Sequence, residues 1–175
     1  AIPGSNLPLA MLGALLLFFG WFGFNGGSTL AANESVPGIV VNTLLGGIAG
    51  VLSVLLVSWG LRGNPDVVQP MNGLLAGLVA VTASAHAISA LDALVVGAVG
   101  GVIMLLADGM LLRLRIDDAV AAVPVHLAAG VWGTLAVALF GDPARLGTGL
   151  SFGQQLLVQL QGIVCLLYTS PSPRD

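Results

Sequence analysis

The chain has 175 residues, of which 57% are hydrophobic and only 7% are charged, and its formal net charge is −3. A soluble domain carries about 25% charged residues, so this composition excludes a soluble domain and indicates an integral membrane protein. The five basic residues are all arginine and form no basic patch, so the composition does not indicate nucleic-acid binding.

Runs of about 20 apolar residues predict helices that cross the lipid bilayer, because a helix rises 1.5 Å per residue and the hydrocarbon core is roughly 30 Å thick. In chain order, five complete runs and one truncated run predict helices over residues 7–24, 37–61, 71–89, 91–114, 119–140 and 152–164. The third and fourth runs are separated only briefly, but a single helix of about 40 residues would overshoot any bilayer. The sequence therefore predicts an all-α, multi-pass membrane protein.

The two ends of the chain are interpreted separately from the helices. The amino end lacks the basic flank and cleavage site of a signal peptide, and we expect the chain to begin within a longer protein. Residues 165–175 replace an apolar run with turn-forming residues and look like translated sequencing adaptor. We therefore assign residues 1–164 to the membrane domain and interpret 165–175 as a non-native tail.

Arginines in the short loops predict the orientation of the chain. Arg62 follows the second predicted helix, and Arg113 and Arg115 follow the fourth, so these two loops fall on one side of the membrane. The connections on the opposite side contain only Arg145. Cytoplasmic loops carry an excess of arginine and lysine, so we expect the Arg62 and Arg115 loops in the cytoplasm of a plasma (inner) membrane protein, with Ser28 outside.

Glycines at helical spacing predict how the helices pack. The chain has 25 glycines, including Gly73 with Gly77 and Gly97 with Gly101. Small residues four apart allow two helix backbones to approach closely where lipid supplies no hydrophobic driving force. We therefore expect these four glycines in tight helix contacts.

His126 lies inside the apolar run 119–140, which contains no other ionisable side chain. An ionisable residue within a membrane helix is costly and marks a functional site or a substrate path by default. The alternative is a neutral histidine hydrogen-bonded between helices. The chain has one other histidine, His86, and one cysteine, Cys165, so the sequence predicts neither a metal site nor a disulfide.

A series of motifs then follows in order along the chain. The first predicted helix closes on Gly-Trp-Phe-Gly-Phe-Asn-x-Gly-Ser, ending at Ser28. Further motifs are Ala32-Asn33-Glu34, Val41-Asn42-Thr43, Trp59-x-x-Arg62-Gly63-x-Pro65, Gly77-Leu78-Val79-x-Val81-Thr82, Asp117-Asp118, Val125-His126 and Gln154-Gln155-Leu156-Leu157-Val158-Gln159-Leu160. Together they resemble the ammonium transporter (Amt/Rh) family over about residues 5–164.

The resemblance implies a fold and an assembly. Members of this family have eleven membrane helices, and the first ten form two inverted five-helix repeats. The chain is similar to the second repeat plus part of the eleventh helix, so we expect about half of a transporter. Inverted repeats place the substrate path between the two halves. The family also implies a homotrimer in which each protomer has its own pore.

The resemblance also implies roles for individual residues. His126 matches the second of twin pore histidines, Trp21 an aromatic packed against that pair, and Phe24 one of two phenylalanines that gate the pore. Ser28 matches the hydroxyl of the external ammonium recruitment site. His86 stands where the family usually has a small residue, and we interpret it as a helix-end or packing histidine.

Asp117 and Asp118 match the acidic start of the tenth helix, where carboxylates favour the positive helix amino terminus. Their expected role is structural. The family often has a third aspartate where this chain has Ala121, so the expected network around them is simpler here.

The function implied by the resemblance is transport of ammonium or ammonia through a hydrophobic pore, by cation recruitment and deprotonation, without a cofactor. A PII-type regulatory protein is an implied cytoplasmic partner. The alternative is an ammonium-sensing input domain of a signalling protein. An enzyme is not expected, because no nucleophile–base pair or paired carboxylates can be assembled from the predicted helices.

Overall fold

The computed structural model describes residues 6–63 and 67–169, and within them all regular structure is helical. The elements are α1 (Leu7–Gly27), α2 (Val36–Arg62), α3 (Val68–Thr82), α4 (Ala90–Arg113), a π-helical turn (Val123–Ala128), α5 (Ala129–Phe140), α6 (Pro143–Leu146) and α7 (Phe152–Thr169). The predicted all-α class is confirmed. Four segments are long and apolar enough to cross a membrane, namely α1, α2, α4 and the π-helical turn together with α5, whereas α3 has only 15 residues.

The predicted third helix, 71–89, is wrong at its carboxyl end. α3 ends at Thr82, and residues 83–88 form turns. The buried side chain of Asn42 donates hydrogen bonds to the carbonyl oxygens of Ala85 and Ile88, at 2.9 and 3.0 Å. These bonds satisfy backbone groups that would be costly to bury unpaired, so the chain can leave the helix here.

The predicted fifth helix, 119–140, begins too early. Ala121 has a positive φ of 53°, and the π-helical turn starts only at Val123. The carboxylate of Asp118 accepts hydrogen bonds from the backbone N–H groups of Ala122 and Val123, at 3.0 and 2.8 Å. Asp118 thus stabilises the start of the helix, which confirms a structural role for this carboxylate.

The other predicted limits differ by smaller amounts. α1 continues from the predicted end at residue 24 to Gly27, and α7 continues to Thr169, five residues into the segment interpreted as a tail. Residues 170–175 of that segment, and Pro65 in the loop after Arg62, lie outside the described residues.

α2 and α4 run side by side in the same direction. A Cβ atom added to Gly97 of α4 would fall directly on the carbonyl oxygen of Gly46 in α2. One turn further along both helices, a Cβ at Gly101 would lie 2.7 Å from the carbonyl oxygen of Gly50. Only glycine permits such an approach, so the predicted packing role of Gly97 and Gly101 is confirmed.

α3 runs antiparallel to α2 through a similar contact. A Cβ at Gly77 would fall on the carbonyl oxygen of Gly46, and one at Gly73 would lie 2.8 Å from that of Gly50. The predicted packing role of Gly73 and Gly77 is therefore also confirmed. The contact holds α3 against α2 along most of its length.

Because the helices run in these directions, particular helix termini lie at the same end of the bundle. The carboxyl ends of α1, α3 and α5 and the amino ends of α2 and α4 share one end of the bundle, which contains Ser28 and is called the Ser28 end below. The carboxyl ends of α2 and α4, with Arg62 and Arg113, share the opposite end.

α3 is the central helix, in contact with α1, α2, α4, the π-helical turn and α5. Two buried apolar clusters surround it. They consist of Val54, Ala76, Met104, Ala121, Val125 and Ala129, and of Ala80, Val81, Ile88, Ala93, Val96 and Ala136. The helices that carry the candidate site are thus fixed against a packed interior.

Candidate functional site at the Ser28 end

Trp21 is fixed by a hydrogen bond between helices. Its indole Nε1–H donates to Oγ1 of Thr82, the last residue of α3, at 2.8 Å. The Thr82 hydroxyl in turn donates to the carbonyl oxygen of Leu78 at 2.7 Å, so its free lone pair faces the indole. This chain of bonds holds the half-buried Trp21 ring in one orientation.

Phe24 lies one turn further along α1, against Trp21. The two ring centroids are 5.9 Å apart and the ring planes meet at 79°, an edge-to-face arrangement. The side chain of Phe24 is 59% exposed. The structure therefore presents an aromatic pair whose outer member is accessible to a ligand.

Ser28 follows at the end of α1. Its hydroxyl donates to the carbonyl oxygen of Phe24 at 2.6 Å, and the side chain is exposed. Because the hydroxyl hydrogen is committed to this backbone oxygen, the lone pairs of Oγ remain available as acceptors. The exposed oxygen suits a ligand that donates hydrogen bonds, and the predicted Ser28 and Phe24 lie together on one face.

That face lines a cavity of about 420 Å³. Its walls come from α1, the loop that follows it, α2 and the end of α3, and include Phe24, Ser28, Asn33, Thr82 and His86. His86 is the one titratable side chain among the lining residues. The cavity thus offers polar acceptors and an aromatic face to a small ligand.

A neighbouring cavity of about 540 Å³ is more strongly charged. It is lined by Glu34, Asn42, His86 and Arg145, among others. Arg145 pairs with Asp142 at 3.8 Å, whereas Glu34 forms no ion pair with any described residue. His86 is one of four residues that line both cavities, and among these four it has the titratable side chain.

His126 lies further from the Ser28 end than the other predicted site residues. It belongs to the π-helical turn, whose backbone packs beside α3 and α4 and not beside α1 within the described part of the chain. His126 precedes Gly133 by seven residues, and Gly133 packs on Ala80, which places His126 about 10 Å below the level of Ala80 along the bundle axis, on the side away from the Ser28 end. The structure does not bring His126 to the cavity that Phe24 and Ser28 line.

The local helix geometry at His126 is unusual. π-helical turns are rare and occur frequently at functional sites, where the wider turn changes the direction of a side chain. The His126 side chain is exposed, and Val125 beside it is buried at 1% exposure. The turn therefore anchors the backbone through Val125 while leaving the imidazole accessible.

Two features of the site were missed or misjudged from the sequence. His86 lies in the turn four residues beyond the end of α3 and its side chain is exposed, so the helix-end interpretation fits and the packing interpretation is wrong. Thr82 was part of a motif without a role, and its partner Trp21 lies 61 residues away. The sequence did offer one signal for His86, because it is a histidine at a position where the family usually has a small residue. Across residues 6–63 and 67–169, no three potential metal ligands cluster.

Comparison with known proteins assigns the whole segment to one class. A sequence profile described as the Ammonium Transporter Family matches residues 1–171. The chain is 52% identical over 169 residues to a putative ammonium transporter of Synechocystis sp., covering 95% of this chain and 31% of the relative. It is 40% identical to ammonium transporter Amt2 of Archaeoglobus fulgidus, covering 87% of this chain and 35% of the relative.

Solved structures agree with these sequence relatives. A protein named "Sensor Amt Protein" superposes with a TM-score of 0.87 at 36% identity, covering 92% of this chain and 40% of that one. Mep2 of Saccharomyces cerevisiae superposes with a TM-score of 0.82 at 29% identity, covering 90% of this chain and 40% of that one. The chain spans about a third of the length of the curated relatives named above.

Proposed function

Because the chain belongs to the ammonium transporter family, a family of transporters and not of enzymes, we propose that it forms one part of a pore that carries ammonium or ammonia across a membrane. The observation that carries this proposal is the face formed by Phe24 and Ser28 over the cavity of about 420 Å³, with Trp21 fixed behind it. We propose Ser28 as the ammonium recruitment residue and Trp21, Phe24 and His126 as residues of the pore.

The geometry at the Ser28 end suits a small cation that donates hydrogen bonds. The Ser28 oxygen has free lone pairs because its hydrogen is bonded to the carbonyl oxygen of Phe24. The exposed Phe24 ring offers an aromatic face, which attracts a cation within about 6 Å of the ring centroid. Ammonium can use both kinds of contact at once, whereas potassium has no proton to donate.

Passage beyond this face calls for a different form of the substrate. A bare ammonium ion pays a large desolvation cost in a narrow apolar pore, whereas neutral ammonia pays little. We propose that ammonium gives a proton to water in the open cavity near the aromatic pair and that ammonia continues towards His126. A neutral imidazole both donates and accepts hydrogen bonds, so His126 can exchange them with passing ammonia.

We propose that the Ser28 end faces outwards and that the Arg62 and Arg115 loops face the cytoplasm of a plasma (inner) membrane. The parallel packing of α2 and α4 supports this, because it brings the arginine-bearing ends of both helices to one side of the bundle. We also propose, from the family resemblance, that the protein assembles as a homotrimer and binds a PII-type protein on the cytoplasmic side.

A second candidate function is ammonium sensing. It is favoured by the superposition with the protein named "Sensor Amt Protein", at a TM-score of 0.87. A sensor and a transporter can share the recruitment face, and they differ in whether substrate passes through. Uptake measurements separate the two candidates.

Uptake of labelled methylammonium by the full-length protein that includes this chain tests the proposal. We expect His126→Asp to lower the maximal rate strongly and Ser28→Ala to raise KM. Ser151→Ala is the matched control, because Ser151 is an exposed serine near the start of α7 that lines neither cavity. Wild-type uptake by His126→Asp would refute the pore assignment, and ammonium binding without any uptake would favour the sensor.

A further inference from the structure

His86 occupies a position that the proposed pore does not account for. Its exposed side chain lies on the wall shared by the two cavities at the Ser28 end. One of these cavities contains the proposed recruitment residue Ser28, and the other contains Glu34. His86 therefore adjoins both the space beside Glu34 and the space beside Ser28.

Hydrogen bonds from distant residues fix the backbone around His86, and the imidazole takes no part in them. The Asn42 side chain donates a hydrogen bond to the carbonyl oxygen of Ala85. The backbone N–H of Asp142 donates one to the carbonyl oxygen of Ala87, at 2.9 Å. Ala85 and Ala87 are 2% and 0% exposed. No described residue forms a hydrogen bond with the imidazole itself, so both ring nitrogens remain available to a ligand.

The charges around His86 come from three elements at this end. Glu34, in the loop before α2, and Arg145, in α6, line the larger cavity with it. Asp142 pairs with Arg145 and accepts the backbone N–H of Ala144. Asp92, in the first turn of α4, accepts from Ser89 in a capping box. At this end, the Glu34 carboxylate neither pairs with a described cation nor caps a described helix.

We propose that His86 is a further residue of the substrate path, which binds ammonium in its neutral form and repels it in its protonated form. This inference rests on the proposed function. A neutral imidazole has an acceptor nitrogen for an N–H of the cation, in the cavity that Ser28 also lines. A protonated imidazole has no acceptor, places a positive charge beside Ser28 and pairs electrostatically with Glu34 in place of the substrate.

The size of the effect follows from the dimensions of the cavity. A volume of about 420 Å³ corresponds to a width of roughly 9 Å. A unit charge at that distance, in surroundings with an effective dielectric constant of about 40–80, changes the affinity for a monovalent cation roughly two- to fivefold.

Initial rates of methylammonium uptake test the inference, using the full-length protein in liposomes with a fixed internal pH. Methylammonium stays cationic between external pH 8 and 5, so changes in KM report on the protein. For the wild type we expect KM to rise about two- to fivefold from pH 8 to pH 5. For His86→Gln and His86→Ala, which cannot become charged, we expect a KM that no longer changes over this range.

The comparison of KM with the maximal rate separates His86 from His126. A charge at the mouth changes recruitment and therefore KM, whereas a change at His126 alters passage and therefore the maximal rate. A pH-dependent KM that persists in His86→Gln, or that disappears only in Glu34→Gln, would overturn the inference. Absence of uptake by the wild-type protein would instead refute the proposed transport function.

Discussion

Replacing Gly97 by alanine tests one of the tightest backbone contacts between two helices in the structure. The added Cβ would fall on the carbonyl oxygen of Gly46 and lie 2.6 Å from its Cα, whereas ordinary contacts start at 3.4 Å. Both obstructing atoms belong to the backbone, so no change of side-chain rotamer can make room. α2 and α4 would have to separate by about 0.8 Å to restore an ordinary distance to the Cα.

The expected cost comes from that separation. Overpacking a tight interior typically costs about 1–3 kcal/mol. Alanine also favours a helix over glycine by about 1 kcal/mol, which would offset part of the loss. Gly109→Ala in the same helix is the matched control, because it has the same propensity gain and no atom lies within 4 Å of its added Cβ. We therefore expect Gly97→Ala to be less stable than Gly109→Ala by about 1–3 kcal/mol.

The measurement is unfolding of the full-length protein in mixed detergent micelles, followed by tryptophan fluorescence. We expect the unfolding midpoint of Gly97→Ala to fall below that of the wild type, and the midpoint of Gly109→Ala to equal or exceed it. Equal midpoints for the two alanine variants would refute the close approach of α2 and α4.

Two further predictions concern hydrogen bonds at the Ser28 end. Thr82→Val removes the acceptor of the Trp21 indole and should cost about 1 kcal/mol of unfolding free energy and shift the tryptophan emission. Thr134→Val is its control, because Thr134 donates to a carbonyl of its own helix in the same way, and no tryptophan bond to it is seen among the described residues; equal effects would contradict the prediction. Asn42→Leu removes the side-chain donor to the carbonyl oxygens of Ala85 and Ile88, of which Ile88 keeps a 3.4 Å bond from Arg145, and should cost about 1–3 kcal/mol. Hydrogen exchange should accelerate in that turn, and unchanged exchange there would show that Asn42 does not hold it.

The sequence predicted best those features that depend on side-chain hydropathy. α1, α2 and α4 begin and end within about three residues of the predicted limits, because long apolar runs have few competing structures in a membrane. The glycine contacts were also predictable, since small residues at helical spacing have one common use in such bundles. Which partner each glycine meets depends on the three-dimensional arrangement, and the sequence did not reveal it.

A motif predicted the residues of the candidate site, but it did not predict their geometry. The motif that ends at Ser28 identified Trp21, Phe24 and Ser28, and the structure places the three one after another at the carboxyl end of α1. The bond from Trp21 to Thr82 joins residues 61 positions apart, which no local pattern encodes. The role of His126 remains a prediction, because the described residues do not include the partner that the resemblance implies for it.

The segment 83–88 explains why hydropathy failed at the turn that carries His86. Its side chains are apolar enough to continue a helix, and hydropathy counts only the transfer of side chains. The decisive cost in an apolar environment is an unpaired backbone group, and here the amide of Asn42 and the N–H of Asp142 supply the missing partners. These two donors come from distant parts of the chain, so the helix can end early. That early end is what brings His86 out of the bundle interior and onto the wall between the two cavities.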